Sequence, residues 1–89
     1  KHGRGVVAVT WVEVVLLHCL SRGPQAQIGL LAAVTARERV SLADVETALA
    51  RLVKSGLVRE EGSRVAITAG GYDRLVQHMV AAAQRGGAA

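Results

Sequence analysis

Between Ser41 and Lys54 the apolar residues Val45, Leu49, Leu52 and Val53 recur at i, i+4, i+7 and i+8, the spacing of one buried helical face. Ser41 is placed as the N-cap, and Asp44 three residues on makes a carboxylate variant of the capping box. Val40 and Val45 occupy the two positions of a hydrophobic staple. Lys54 falls in the last turn, where a cation suits the helix dipole, and Gly56 suits a left-handed C-cap. Leu57-Val58 and Val65-Ala66-Ile67 are then short β-prone runs around Glu60-Glu61-Gly62-Ser63, which predicts a hairpin with glycine in its loop.

The same procedure predicts three further helices. Thr10 and Glu13 form a capping box with Val9 and Val14 as its staple, so the first helix starts near Trp11 and ends at Arg22-Gly23-Pro24. Val12, Val15, Leu16, Cys19 and Leu20 make its core face, while Trp11, Val14 and Leu17 are apolar and point elsewhere. A helix apolar nearly all round is covered on both sides, and a short chain has little left to cover the second. A homodimer contact or a partner domain is the expected cover. Pro24 can open the second helix, with Ile28, Leu31, Ala32 and Thr35 on its inner face and Arg37-Glu38-Arg39 as the polar turn that follows. Thr68 caps the last helix, whose stripe is Tyr72, Leu75, Val76, Met79, Val80 and Ala83, the spacing of a core or dimer face. The expected interface residues are Trp11, Val14, Leu17, Tyr72 and Met79.

Composition narrows this picture. The 89 residues suffice for one small domain, with residues 1–9 as a flexible or extended arm and 85–89 as a frayed tail. Hydrophobic residues are 51% of the chain but Trp11 and Tyr72 are the only aromatics, so the core is aliphatic. A net charge of +4 favours polyanionic partners. One cysteine, Cys19, allows no internal disulfide, and with three scattered histidines no zinc pattern, so neither metal nor cofactor is expected. The apolar run from Val6 to Leu20 is shorter than a membrane span and contains Glu13 and His18. It lacks the small-residue cleavage site of a signal peptide, and a cytoplasmic location is expected. The chain begins at Lys1, as a processed or trimmed protein or a piece of a longer one would.

The order helix, glycine stop, hairpin, helix resembles the winged helix-turn-helix domain, and in particular bacterial regulators of the MarR and PadR type. The residues that carry the likeness are Leu52, Lys54, Gly56, Leu57 and Val58, matching L-x-K-x-G-L-V, and Ile67, Thr68 and Gly71, matching the end of the wing and the start of the last helix. It covers the chain well from residue 24 to about Gln84. The resemblance implies a mostly α, α+β fold: a three-helix core, a β-hairpin wing and an additional C-terminal helix. It also implies binding of double-stranded DNA, most simply in transcription regulation, with the helix from Ser41 in the major groove.

On that reading Ser41, Thr47, Arg51 and Lys54 lie on the reading helix, Arg37 and Arg39 hold the flanking backbone, and Arg59 and Arg64 bracket the wing tip. The chain departs from the family where it has Glu46-Thr47 instead of Ser or Thr followed by Arg, where Asp44 replaces a small polar residue, and where the wing is acidic. Those carboxylates repel phosphate and motivate the alternative, a winged-helix module that docks protein within a larger assembly. Catalysis is not expected. His2, His18 and His78 have no carboxylate or cysteine at a catalytic spacing, and Gly70-Gly71 lacks the pattern of a phosphate-binding loop.

Overall fold

The computed structural model describes residues 10–87, with side chains to residue 84. The expected arm, including Val9 of the first staple, lies outside the described residues. The order is α1 (Trp11–Leu20), β1 (Gln25–Ala26), α2 (Gln27–Glu38), α3 (Leu42–Lys54), β2 (Val58–Glu61), β3 (Arg64–Ile67) and α4 (Ala69–Gly87). The chain is thus α+β and mostly helical, its one described sheet antiparallel in the order β1-β3-β2. α4 runs on to Gly87, into the stretch expected to fray.

α1 is the centre of the packing. It contacts α2, α3, α4 and β3, and Leu16, Leu17 and Leu20 are fully buried. Leu17, expected to face a partner, is therefore a core residue. The reason is that α4 and β3 supply the second cover that the expectation assigned to another chain. Val12, Val14, Val15 and Cys19 are half-buried against the same core, and among α1's apolar residues only Trp11 stays exposed. The capping box forms in full: Thr10 Oγ1 accepts from the Glu13 amide at 3.3 Å, and a Glu13 carboxylate oxygen accepts from the Thr10 amide at 2.7 Å. Those bonds are why a carboxylate can sit 4% exposed at the end of a helix.

The segment after α1 holds the first element the sequence pattern did not announce. Pro24 does not open a helix. It precedes β1, which pairs Gln25 with Val65 and Ala26 with Arg64 along the edge of β3. Two residues without β-branching carry no strand signal of their own, and the pairing comes from the neighbour's free edge. α2 then starts at Gln27 with no side-chain cap. The Gln27 amide instead donates to the hairpin carbonyl of Ser63 at 2.9 Å, satisfying one of the donors that a helix start leaves free.

α2 is also rotated from expectation. It buries Leu30, Leu31 and Val34, while Ile28 and Ala32 are exposed. That is a turn of about 100°, one residue's worth of helix. Apolar residues lie on both sides of α2, so its own pattern does not choose between them, and packing on α1 and α3 does.

α3 and the hairpin follow the sequence closely. Val45, Ala48, Leu49 and Leu52 are buried, and Ser41 Oγ accepts from the Asp44 amide at 3.1 Å. The helix closes in a Schellman motif: Gly56 has φ +80°, its amide donates to Val53 at 3.1 Å, and the Leu57 amide donates to Leu52 at 2.9 Å. β2 and β3 pair from Val58↔Ile67 to Glu61↔Arg64 across a loop of Gly62 and Ser63. Gly62 has φ +66°, at the loop position where a type II′ turn needs glycine. Thr68 then ties three elements together. Its amide donates to Leu57 at 3.0 Å, its hydroxyl donates to Gly56 at 2.6 Å and accepts from the Gly71 amide at 3.1 Å. A Cβ on Gly71 would collide with the Leu57 carbonyl and the Ile67 side chain, so α4 can rest this closely on the hairpin only with glycine there.

Candidate nucleic-acid interface

Because α3 buries Val45, Ala48, Leu49 and Leu52, helical geometry turns Ala43, Thr47, Ala50 and Lys54 to the opposite side, and all four are exposed. Arg51 and Asp44 lie along one flank of that line and Glu46 along the other, also exposed. The line is narrow and mostly methyl-sized until Lys54, so the helix backbone can approach a partner surface closely. Its charge is split: two carboxylates, Asp44 and Glu46, at the N-terminal half and two cations, Arg51 and Lys54, at the C-terminal half. A cleft of about 320 Å³ lined by Glu46, Ala50, Lys54, Gln27 and Glu60 joins this flank to β2, which makes α3 and the hairpin one continuous surface.

The structure divides the eight residues expected to contact DNA. Thr47, Arg51 and Lys54 come together on the open side of α3. Ser41 is exposed at its start, one lone pair engaged by the Asp44 amide. Arg39 is exposed in the turn before α3, where it serves as the left-handed cap of α2 with φ +57°. A non-glycine residue there is conformationally costly, so the position is constrained by the turn as well as by any contact. Arg37 lies apart from the α3 surface: it lines clefts with His18 and Cys19 of α1, and its Nε is 3.5 Å from Glu38. Arg59 is paired with Glu61 at 2.7 Å, and Arg64 donates to the Pro24 carbonyl at 3.3 Å. Both pairings are exposed and therefore weak, and either guanidinium can exchange its partner for a phosphate at little cost.

The surface also includes a residue that sequence reasoning placed inside. Ile28 is 84% exposed, beside Leu42 at 50%. With Leu31, Ala32, Thr35, Ala36 and Glu46 they line an apolar cleft of about 480 Å³ between α2 and the start of α3. The hydroxyl oxygen of Thr35 is buried there without a hydrogen-bond partner. The stripe Ile28, Ala32, Thr35 was visible in the sequence, but nothing in it said which way the stripe faced. Among the described residues no group of three or more His, Cys, Asp or Glu could hold a metal ion, and no helix is long and apolar enough to cross a membrane. No family model, curated protein or solved structure matches the chain.

Proposed function

We propose that the chain is a winged helix-turn-helix module that binds double-stranded DNA, with α3 as the reading helix and β2–β3 as the wing, and that it acts in transcription regulation. The observation that supports this is the orientation of α3: Val45, Leu49 and Leu52 are hidden, and Thr47, Arg51 and Lys54 stand outward beside a two-stranded hairpin. The order of elements, with a short strand between α1 and α2 closing the sheet, supports the same reading. Arg51 and Lys54 suit guanine or phosphate, and Thr47 suits a phosphate or a base edge. Glu46 accepts hydrogen bonds only, so it favours the amino group of cytosine or adenine over the acceptors of guanine.

Charge limits the strength of this binding. The surface carries five cations, Arg39, Arg51, Lys54, Arg59 and Arg64, against four carboxylates, Asp44, Glu46, Glu60 and Glu61. Titration against mixed-sequence duplex DNA should therefore give affinity that falls with salt along a log–log slope of about −2 to −4 per copy, about −0.9 for each cation that meets a phosphate. No binding at about 50 mM salt would overturn the reading. A second reading is then favoured, a protein-docking module, on the observation that an apolar cleft borders the reading helix where a DNA-flanking surface would carry cations.

A further inference from the structure

Arg37 was expected at the DNA surface and instead lines a depression between α1 and α2. This cleft of about 210 Å³ has an apolar part, Cys19, Leu30 and Ala33, and three basic side chains, His18, Arg22 and Arg37. Gln25 of β1 completes it, and no residue of α3 or the hairpin takes part. No carboxylate among the described residues lines it. We propose that this cleft binds a phosphate group carried on a small phosphomonoester.

The ordinary roles of basic residues at a helix end are already filled here. A helix leaves the carbonyls of its last turn without partners, and nearby cations often serve them. In α1 the fold supplies other donors. Leu17 and His18 accept from the Ser21 amide at 2.9 and 3.2 Å, Cys19 from the Gln25 side-chain amide at 2.7 Å, and Leu20 from the Gly23 amide at 3.0 Å. Ion pairing does not occupy the cations either. Among the described residues the ion pairs are Arg37–Glu38 and Arg59–Glu61, which leaves His18 and Arg22 with none. The Arg37 pair is long, at 3.5 Å, and its arginine exposed, so it yields to a better anion at little cost. Glu38 then keeps the Trp11 indole N–H, which donates to it at 3.1 Å.

The charge of the cleft selects the ligand. Two guanidinium forks match a dianion, and a phosphomonoester carries about −1.5 to −2 near neutral pH. A carboxylate balances only one of them, and each phosphate of a DNA backbone carries a single charge. Size selects the carrier. At about 30 Å³ per water-sized group the cleft holds on the order of seven, enough for a phosphate and a small organic body against Cys19, Leu30 and Ala33.

Amide chemical shifts of the isotope-labelled chain, followed by NMR at constant ionic strength and near neutral pH, read this site directly. The probes are phenyl phosphate, inorganic phosphate and acetate. Saturable shifts are expected in the amides from His18 to Arg22 and from Ala33 to Arg37, with a dissociation constant for inorganic phosphate on the order of 1 mM. Phenyl phosphate should bind at least about threefold tighter and acetate at least about tenfold weaker. Arg37→Gln and Arg22→Gln should each weaken phenyl phosphate at least about fivefold. Arg22 lies in the turn after α1, outside any helix, so its variant tests the site even if Arg37→Gln disturbs α2. Arg74→Gln removes the same charge from α4 and should leave the affinity within about twofold. Four results would overturn the proposal: no saturation up to about 20 mM, shifts centred on α3, acetate or inorganic phosphate binding as tightly as phenyl phosphate, or an Arg74→Gln loss equal to that of Arg22→Gln. No DNA enters the titration, so this proposal and the DNA reading can fail separately.

Discussion

α2 and α3 are neighbours of similar length, yet only one of them faces the way its sequence suggests. α3 has Val45, Ala48, Leu49 and Leu52 on its inner side and Asp44, Glu46, Thr47, Arg51 and Lys54 distributed over the others, so a rotation that hid another side would bury a charge. α2 has no such veto. Ile28 and Ala32 on one side and Leu30 and Val34 on the other are all apolar, and the helix settles by shape against α1 and α3. Its leftover apolar side becomes the cleft beside Leu42. An amphipathic pattern specifies orientation through its polar residues as much as through its apolar ones.

The largest effect that would test this contrast is Leu52→Ala, which empties a fully buried site and should cost about 2–5 kcal/mol in chemical denaturation. A loss below about 1 kcal/mol would mean that α3 does not hold the core. On the opposite side of the same helix, Arg51→Ala should weaken binding to a selected DNA site by about 1–3 kcal/mol while changing stability by no more than about 0.5 kcal/mol. Equal affinity in the mutant would take α3 out of the groove. The smallest expected change is the one that most directly sets α2 apart. Ile28→Ser, at a site 84% exposed, should alter stability by no more than about 0.5 kcal/mol, because serine and isoleucine have similar helix propensity and there is little burial to lose. A loss above about 1 kcal/mol at low protein concentration would show that the stripe of Ile28 and Ala32 is inward after all.

Much of the candidate surface was legible for a local reason. Ser41, Gly56, Gly62 and Thr68 act on atoms within a few residues of themselves or on the adjoining turn, so their types announce a cap, a stop, a hairpin loop and a second cap. The grouping of Thr47, Arg51 and Lys54 follows from helical spacing alone. What spacing could not supply was the state of the other cations. Arg37 turns toward α1 and Arg64 reaches back to Pro24, contacts between groups that only the folded chain brings together, whereas Arg59 pairs with Glu61 two residues along the same strand.

The sequence by itself determined where the helices and the hairpin lie and which side of α3 is outward, because caps, glycines and opposed charges act over one or two turns. Tertiary structure decided the rest. β1 exists because β3 has a free edge, Leu17 is core because α4 and β3 close over α1, and α2 faces as it does because its neighbours fit Leu30 and Val34. In each case the deciding free energy comes from atoms distant in the chain, and no local pattern records it.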